Sequence, residues 1–339
     1  MTFAPLVDIH KGSRHTSYPF DTSAQRRIGR LELVIVIACP GQGSQTPGFL
    51  EPWLSESTFR DQLSGISEAV GIDLVAHGTV SDADTIRDTA VAQPLIVSAG
   101  LLTLSALLAD GRREKVGGIA GHSVGELTAA AGAGILSETD AVAFVRERGA
   151  AMARAAAETP TGMSAVIGAD ETELLAKLEE LGLSPANYNG GGQIVVAGAL
   201  DALAALAENP PARARVIPLQ VAGAFHTRYM RPAVTHLMDF ASTLTTIDPT
   251  LPIWTNKDGS RVTSGADYLT LLVGQVSSPV RWDLCMESFA EAGITGLIEV
   301  APAGALVGLA KRGLKCVPTV AIKTPDDLPA AFDLIDQAA

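Results

Sequence analysis

Apolar and polar positions along the chain form blocks that predict strands and helices in alternation. The apolar run 33–38 (Leu-Val-Ile-Val-Ile-Ala) and the segment 116–121 (Val-Gly-Gly-Ile-Ala-Gly) are short, which is typical of fully buried parallel strands. Helical patterns between and after these strands cover residues 58–70, 94–109, 124–132 and 138–157. This strand–helix alternation predicts a parallel α/β sheet.

The pattern changes near residue 160, where short strands alternate with two helices. The predicted strands are 163–167, 194–197 and 214–219, and the predicted helices lie near 170–182 and 200–208. This order suggests a small ferredoxin-like β-α-β-β-α-β insertion. Larger elements then resume, with helices near 230–244, 265–274, 281–292 and 304–311, a strand at 296–300, and a last helix after Pro325.

The predicted fold class is therefore α/β: a large α/β-hydrolase-like domain with a parallel sheet, plus a small inserted ferredoxin-like subdomain. We assign residues 33–157 and 221–339 to the large catalytic domain and residues 158–220 to the subdomain. Residues 1–32 carry no secretory signal pattern and are expected to form a flexible N-terminal extension.

Composition and charge restrict the possible partners. A net charge of −12 without a basic stripe argues against a nucleic-acid partner and against adhesion to anionic membranes. The uncharged stretch 89–109 is too polar for a good membrane span and predicts a buried helix after Pro94. Three separated cysteines and scattered histidines predict no disulfide and no metal, and they fit a reducing cytoplasm.

Residues 121–125 (Gly-His-Ser-Val-Gly) form a G-x-S-x-G motif between a predicted strand and a predicted helix. The glycines permit a sharp turn that projects the Ser123 hydroxyl, and the main-chain N–H of Val124 then faces a developing oxyanion. The helix that follows adds partial positive charge at its N-terminus. Ser123 is therefore the candidate nucleophile.

A serine nucleophile needs a base, and His226 lies in a loop between a predicted strand and a predicted helix, where catalytic residues often occur. His122 is next to the nucleophile, but on the turn it is expected to point away and pack as part of the scaffold. His77 and His236 lie in ordinary helical or loop surroundings. From these residues alone, His226 could be either a base or a structural residue.

Three motifs together resemble the acyltransferases of fatty-acid and polyketide synthesis: residues 121–126 (Gly-His-Ser-Val-Gly-Glu), 223–226 (Gly-Ala-Phe-His) and 40–45 (Pro-Gly-Gln-Gly-Ser-Gln). The most similar family is the free-standing malonyl-CoA:acyl-carrier-protein transacylases. The resemblance extends from about residue 33 to residue 323. Further motifs follow in the same order at 93–94, 147–149, 187–190, 278–282 and 308–312. Cys39 and residues 301–304 depart from the family pattern.

The resemblance implies roles for individual residues. Ser123 and His226 would form a dyad, and the main-chain carbonyl of Gln275 would orient the histidine. The N–H groups of Gln42 and Val124 would form the oxyanion hole. Two further roles concern the acyl group: Arg148 would bind the free carboxylate of malonate, and Phe225 would disfavour a branched acyl group.

The implied function is transfer of malonyl from malonyl-CoA to the phosphopantetheine thiol of holo acyl carrier protein. The cycle would be ping-pong, through an ester on Ser123, and would supply extender units for fatty-acid or polyketide synthesis. No bound cofactor is expected, because coenzyme A is a substrate. We expect a cytoplasmic monomer. The carrier protein would dock on a basic patch, for which the candidates are Arg228, Arg231, Arg281, Lys311 and Arg312.

Three other functions remain open from the sequence. A thioesterase or other serine hydrolase shares the G-x-S-x-G motif, although Arg148 and the missing third acid favour transfer. A free-standing acyltransferase serving a polyketide pathway would carry the same motifs. A non-catalytic scaffold that binds carrier protein is disfavoured because the full set of site residues is retained: Gln42, Ser123, Arg148 and His226.

Overall fold

The computed structural model describes residues 34–337, so the predicted extension 1–32 lies outside the described residues. The described residues belong to one compact unit. The strands are β1 (Ile35–Cys39), β2 (Val116–Gly121), β3 (Thr161–Ile167), β4 (Ser184–Gly190), β5 (Gln193–Ala199), β6 (Arg215–Pro218), β7 (Ile253–Trp254), β8 (Arg261–Val262), β9 (Val280–Arg281), β10 (Gly296–Glu299) and β11 (Thr319–Ala321).

Helices connect these strands and cover the sheets. They are α1 (Ser57–Val70), α2 (Leu74–Thr79), α3 (Thr89–Leu107), α4 (Gly125–Gly132), α5 (Glu138–Glu158), α6 (Glu171–Leu181), α7 (Leu200–Glu208), α8 (Arg231–Ala241), α9 (Gly265–Gln275), α10 (Trp282–Glu291), α11 (Ala305–Gly313) and α12 (Leu328–Asp336). The alternation of strands and helices confirms the predicted α/β class.

The large sheet has six strands in the order β11-β10-β1-β2-β7-β8. Its first five strands are parallel, and β8 is antiparallel to β7. In β1, Ile35 and Ile37 pack into one hydrophobic cluster, while Val36 and Ala38 pack into another on the opposite face. This burial on both faces explains why β1 has a continuous apolar sequence.

The small sheet has the order β6-β3-β5-β4-β9. Strands β3, β4, β5 and β6 come from one continuous segment that also contains α6 and α7, and their mutual pairings are antiparallel. The fifth strand, β9, pairs parallel to β4 and comes from the later chain, outside the predicted range 158–220. Because of this pairing, a strand from the later chain joins the small sheet to the rest of the molecule.

Helix α3 begins earlier in the structure than the sequence predicted. The prediction started this helix at Pro94, but it starts at Thr89, and Pro94 lies inside it. The start is set by Asp88, whose carboxylate accepts a hydrogen bond from the N–H of Ala90 at 2.8 Å. By length and composition alone α3 could cross a membrane, but most of its residues are buried in the protein core.

Candidate active site

Ser123 lies on a tight turn between β2 and α4. Its φ angle is 53°, in the left-handed region that residues other than glycine rarely adopt. A Cβ atom at Gly121 would lie 2.0 Å from the carbonyl carbon of Gly125, and one at Gly125 would lie 2.1 Å from the carbonyl oxygen of Cys39. Both motif glycines are therefore required by close backbone approach, which lets the strained turn present the hydroxyl.

His226 lies against the Ser123 hydroxyl, although 103 residues separate the two in sequence. The Nε2 atom of His226 is 2.7 Å from Ser123 Oγ. The Nδ1 atom is 2.9 Å from the carbonyl oxygen of Gln275. Because a carbonyl can only accept, Nδ1 carries the proton and Nε2 is free to accept one from the serine. The structure thus brings together the three groups named for these roles.

The surroundings of His226 keep its imidazole neutral. Burial, followed by the nearby charge of Arg148, lowers the pKa of His226 to about 3, and the hydrogen bond to Gln275 opposes this shift only in part. A neutral imidazole can accept a proton at any pH above that value. The residue is therefore in the form that a general base requires at neutral pH.

Asn256, just after β7, fixes the backbone of the turn. Its side-chain Oδ1 accepts a hydrogen bond from the N–H of Ser123 at 2.7 Å, and its Nδ2 donates to the carbonyl of Gly121 at 2.7 Å. Asn256 is fully buried. One amide side chain thus satisfies two main-chain groups of the strained turn, which holds Ser123 in its unusual conformation.

Arg148, on α5, is almost completely buried beside Ser123. Its two terminal nitrogens donate to the side-chain oxygens of Gln93 and Gln275, each at 2.7 Å, and one of them is 3.4 Å from Ser123 Oγ. Burial lowers the pKa of Arg148 to about 10, and the charge of Glu126 opposes the shift. Arg148 therefore remains a cation at neutral pH, within reach of a group bound to the serine.

A pocket with an empty volume of about 510 Å³ surrounds this chemistry. It is lined by Ser123, His226, Gln42, Val124 and Phe225, with apolar walls from Met152, Met163, Leu219 and Val221. Within residues 34–337, the main-chain N–H groups of Gln42 and Val124 donate no main-chain hydrogen bond, so both are available to an oxyanion. Both predicted oxyanion donors and the predicted selectivity residue thus line the pocket that contains Ser123.

A larger groove, of about 850 Å³ empty volume, adjoins this pocket and shares Gln42, His122, Asn187 and Leu219 with it. Its further walls include Ser44, Leu306 and Arg312. The groove lies between the loop after β1, the small sheet and α11. A long substrate could therefore enter along it and place its reactive end at Ser123.

The other candidate histidines are placed as scaffold or surface residues. His122 is buried, and its Nε2 lies 2.9 Å from Oδ1 of Asn189 on β4. His77 interacts with Ser81 at 3.0 Å. His236 is exposed and lies 2.8 Å from Glu147. Of these three, only His122 touches the pocket, where it forms part of the wall.

Sequence reasoning missed the side chains of Gln93, Glu126, Asn256 and Gln275, which surround Ser123 and Arg148. Buried amides and a buried acid have no local sequence pattern that identifies a partner far along the chain. The one available signal is the position of Glu126, three residues after Ser123 at the start of α4. Within residues 34–337, no three His, Cys, Asp or Glu side chains are grouped as metal ligands.

An α/β fold that presents a serine on a strand-to-helix turn, with a histidine on its hydroxyl, is shared by serine hydrolases and serine acyltransferases. The acyl transferase domain family matches residues 36–325, which is most of the chain. The chain belongs to this acyltransferase family, and the family predicted from the motifs is confirmed.

Relatives and solved structures agree with this assignment. The malonyl CoA-acyl carrier protein transacylase of Mycobacterium bovis is 51% identical over 305 residues, which cover 89% of this chain and 100% of the relative. The crystal structure of MCAT from Mycobacterium tuberculosis has a TM-score of 0.85 at 50% identity, covering 88% of this chain and 99% of that one. The structure of a malonyl-transacylase in complex with its type II polyketide acyl-carrier protein has a TM-score of 0.84 at 28% identity. It covers 88% of this chain and 99% of that one.

Proposed function

We propose that the protein transfers malonyl from malonyl-CoA to the phosphopantetheine thiol of acyl carrier protein, through an ester on Ser123. The observation that carries this proposal is the buried cation of Arg148 beside Ser123 Oγ, which forms no ion pair within residues 34–337. A buried, unpaired cation favours a substrate that brings its own carboxylate. The names of the relatives support the same substrate and acceptor.

The first half-reaction would acylate the enzyme. His226 Nε2 takes the proton from Ser123 Oγ as that oxygen attacks the thioester carbonyl, and the N–H groups of Gln42 and Val124 stabilise the resulting oxyanion. The carbon–sulfur bond then breaks. The imidazolium returns the proton to the departing coenzyme A thiolate, which leaves the malonyl ester on Ser123 and a neutral His226.

The second half-reaction reverses these steps with a new thiol. The phosphopantetheine thiol of the carrier gives its proton to His226 Nε2 and attacks the ester carbonyl. The bond between that carbon and Ser123 Oγ breaks, and the imidazolium returns the proton to the serine. Because each half-reaction begins and ends with a neutral imidazole, the protons balance over the cycle. The thioester and the carrier thiol are the only reactants required, so we expect no bound cofactor.

Selectivity among acyl groups would come from two side chains near Ser123, Arg148 and Phe225. One terminal nitrogen of Arg148 keeps a second N–H beside its bond to Gln93, and the other directs its second N–H to Ser123 Oγ at 3.4 Å, where the acyl group would be attached. A malonyl carboxylate on Ser123 would accept from both N–H groups in a two-point contact. An acetyl group would leave this cation unpaired. The ring of Phe225 is buried at the pocket wall and would crowd a branch at the acyl α-carbon, a preference worth about 1–3 kcal/mol.

We infer that residues 158–220 act as a ferredoxin-like subdomain that closes the acyl pocket. The segment has the element order β-α-β-β-α-β, and its strands pair in the order β6-β3-β5-β4. It contributes Met163, Asn187 and Leu219 to the pocket lining. These side chains would shield the ester on Ser123 from water, which favours transfer over hydrolysis.

The carrier protein would dock on exposed cations at the protein surface. Arg281 is a weak candidate, because it pairs with Asp283 at 2.7 Å and stacks on Tyr188. Arg312 lines the groove and could itself contact coenzyme A. Arg231 and Lys311 are exposed and form no ion pair within residues 34–337. Arg228 is exposed too, but its guanidinium lies over the ring of Tyr229, 4.9 Å from the centroid. We therefore assign the docking contribution chiefly to Arg231 and Lys311.

Reversing both charges, with Arg231→Glu and Lys311→Glu, should raise the KM for holo acyl carrier protein by about tenfold, because complementary charge drives the encounter. The KM for malonyl-CoA should stay within about twofold, since neither side chain lines the pocket or the groove. Initial rates at two salt concentrations measure both values. Equal KM values for the carrier in the double variant and the parent protein would reject this surface.

The proposed reaction itself is tested by initial-rate kinetics with malonyl-CoA and holo acyl carrier protein both varied. A ping-pong cycle gives parallel double-reciprocal lines and a carrier protein that gains one malonyl group. Free malonate without a malonylated carrier would instead identify a hydrolase. Absence of both products would leave a non-catalytic carrier-binding role. Parallel assays with fatty-acid and polyketide carrier proteins would show which pathway the enzyme serves.

A further inference from the structure

Glu126 has no part in the proposed cycle, yet it is buried three residues after the nucleophile with an exposed fraction of only 1%. Its Oε1 accepts a hydrogen bond from the main-chain N–H of Asn256 at 2.7 Å. Its Oε2 accepts a hydrogen bond from the side-chain amide of Gln275. An acid that served only as a favourable charge at the start of a helix would normally lie in solvent, so the burial of Glu126 needs another explanation.

The side chain of Gln275 links Glu126 to Arg148. Its Nε2 donates to Glu126 and also to the main-chain oxygen of Ser123, at 3.0 Å, while its Oε1 accepts from Arg148 at 2.7 Å. The two ends of an amide are not interchangeable, because the nitrogen only donates and the oxygen only accepts. An ionised carboxylate on one side therefore selects the orientation that presents oxygen to Arg148.

We propose that Glu126 is a positioning residue: its carboxylate sets the orientation of the Gln275 amide, and that amide holds Arg148 in place to bind the carboxylate of the acyl substrate. This inference rests on the proposed function of Arg148. The amide also acts as a spacer. A direct Glu126–Arg148 ion pair would occupy the guanidinium edge that the substrate needs, whereas the amide stabilises both buried charges and leaves that edge available.

Protonation of Glu126 should change the orientation of the Gln275 amide and so remove its hydrogen bond to Arg148. Burial raises the pKa of Glu126 to about 7, although hydrogen bonds from Asn256 and Gln275 and the charge of Arg148 oppose the shift. A protonated carboxyl has an O–H that must donate, and the nitrogen of Gln275 cannot accept it. The amide would turn, and its N–H groups would then face the Arg148 guanidinium, where two donors repel.

Two other ionisable side chains near Glu126, Tyr268 and Cys285, have pKa values that burial shifts upward, away from neutral pH. The pKa of Tyr268, on α9, is raised well above 10 by burial and by Glu126 itself. Burial also raises the pKa of Cys285, on α10. A separate cavity reaches Glu126 between Lys257 and Ser278, and it shares no lining residue with the acyl pocket. Glu126 can therefore exchange protons while substrate occupies the pocket.

The test compares Glu126→Gln with the parent enzyme in the acylation half-reaction, using malonyl-CoA and acetyl-CoA from pH 5.5 to pH 8.5. At pH 8 the variant should raise the KM for malonyl-CoA on the order of tenfold, with kcat within about twofold, because a neutral amide imposes the wrong orientation on Gln275. The malonyl-to-acetyl preference should fall by the same factor. In the parent, the KM for malonyl-CoA should rise as pH falls through about 7, a dependence that the variant should lack.

Three control variants distinguish a positioning role of Glu126 from a non-specific loss of structure. Glu126→Asp keeps the charge and should recover part of the lost affinity. Gln275→Met keeps the carbonyl that orients His226, and it should add little to Glu126→Gln in a double-mutant cycle. Glu138→Gln removes an exposed acid at the start of α5 and should change nothing.

The outcomes distinguish this inference from the proposed function. If the parent forms no malonyl-enzyme, the proposed function fails. If the parent is malonylated and Arg148→Ala loses the malonyl preference, but Glu126→Gln keeps the parental KM and pH dependence, the positioning role is overturned. A parent KM that does not change between pH 5.5 and pH 8.5 would also contradict it, and this measurement requires no folded variant.

Discussion

Replacing Arg148 with alanine should reduce kcat/KM for malonyl-CoA by about 10²–10³-fold while leaving that for acetyl-CoA equal to or higher than in the parent. The guanidinium is buried between Gln93 and Gln275 and has no carboxylate partner of its own within residues 34–337. Removing one partner of a two-point, charge-assisted contact in a buried site costs about 2–5 kcal/mol of binding free energy. Rapid-quench acylation with both thioesters measures the ratio.

Two further variants show whether the loss comes from the charge and shape of the Arg148 side chain. Arg148→Lys keeps the charge but loses the planar fork, so its malonyl preference should lie between those of the parent and Arg148→Ala. Arg146→Ala removes an exposed arginine from the same helix and should behave as the parent. A uniform loss with both thioesters would indicate that Arg148 supports the fold rather than the acyl carboxylate.

The second large effect should follow from His226→Ala, with acylation of Ser123 slowed on the order of 10⁴-fold. His226 Nε2 lies 2.7 Å from the serine oxygen, and within residues 34–337 the only other titratable side chain in hydrogen-bond contact with that atom is the cation Arg148. A positioned general base contributes about 10²–10⁴-fold, and an unactivated serine is a poor nucleophile. Single-turnover acylation at saturating malonyl-CoA measures the loss.

The exposed His236 provides the matched control for this substitution, because its ring contacts Glu147 outside the pocket. His236→Ala should keep the parental acylation rate. Added imidazole should restore part of the activity of His226→Ala, because the cavity left by the ring can admit a free base. Acylation of His226→Ala at more than a tenth of the parental rate would exclude His226 as the base.

Prediction of the fold succeeded where burial leaves a clear pattern. Strands β1 and β2 lie at the centre of a sheet covered on both faces, so their sequences are continuously apolar and their positions could be predicted. Strand β4 reads Ser-Pro-Ala-Asn-Tyr-Asn-Gly and was missed, because its pairing with β5 and β9 decides its conformation rather than side-chain alternation. The two-residue strands β7, β8 and β9 are too short to leave any pattern.

In the candidate site, too, local features could be predicted from the sequence and long-range contacts could not. The Ser123 turn is local, since its glycines and the following helix are adjacent in sequence, so a motif could indicate it. The partnership of Ser123 with His226 depends on tertiary structure, and the family resemblance was needed to propose it. The link from Glu126 through Gln275 to Arg148 joins residues more than 100 positions apart through amide contacts, which no sequence pattern encodes.

Intact-protein mass spectrometry after brief exposure to malonyl-CoA tests the central claim most directly. The account predicts one malonyl adduct on the parent protein, mapped to Ser123 by peptide analysis and removed by adding holo acyl carrier protein. The Ser123→Ala protein should carry no adduct, whereas Ser105→Ala, at an exposed position on α3, should be acylated normally. A malonylated carrier formed by the Ser123→Ala protein, or an adduct at any other residue, would contradict the account.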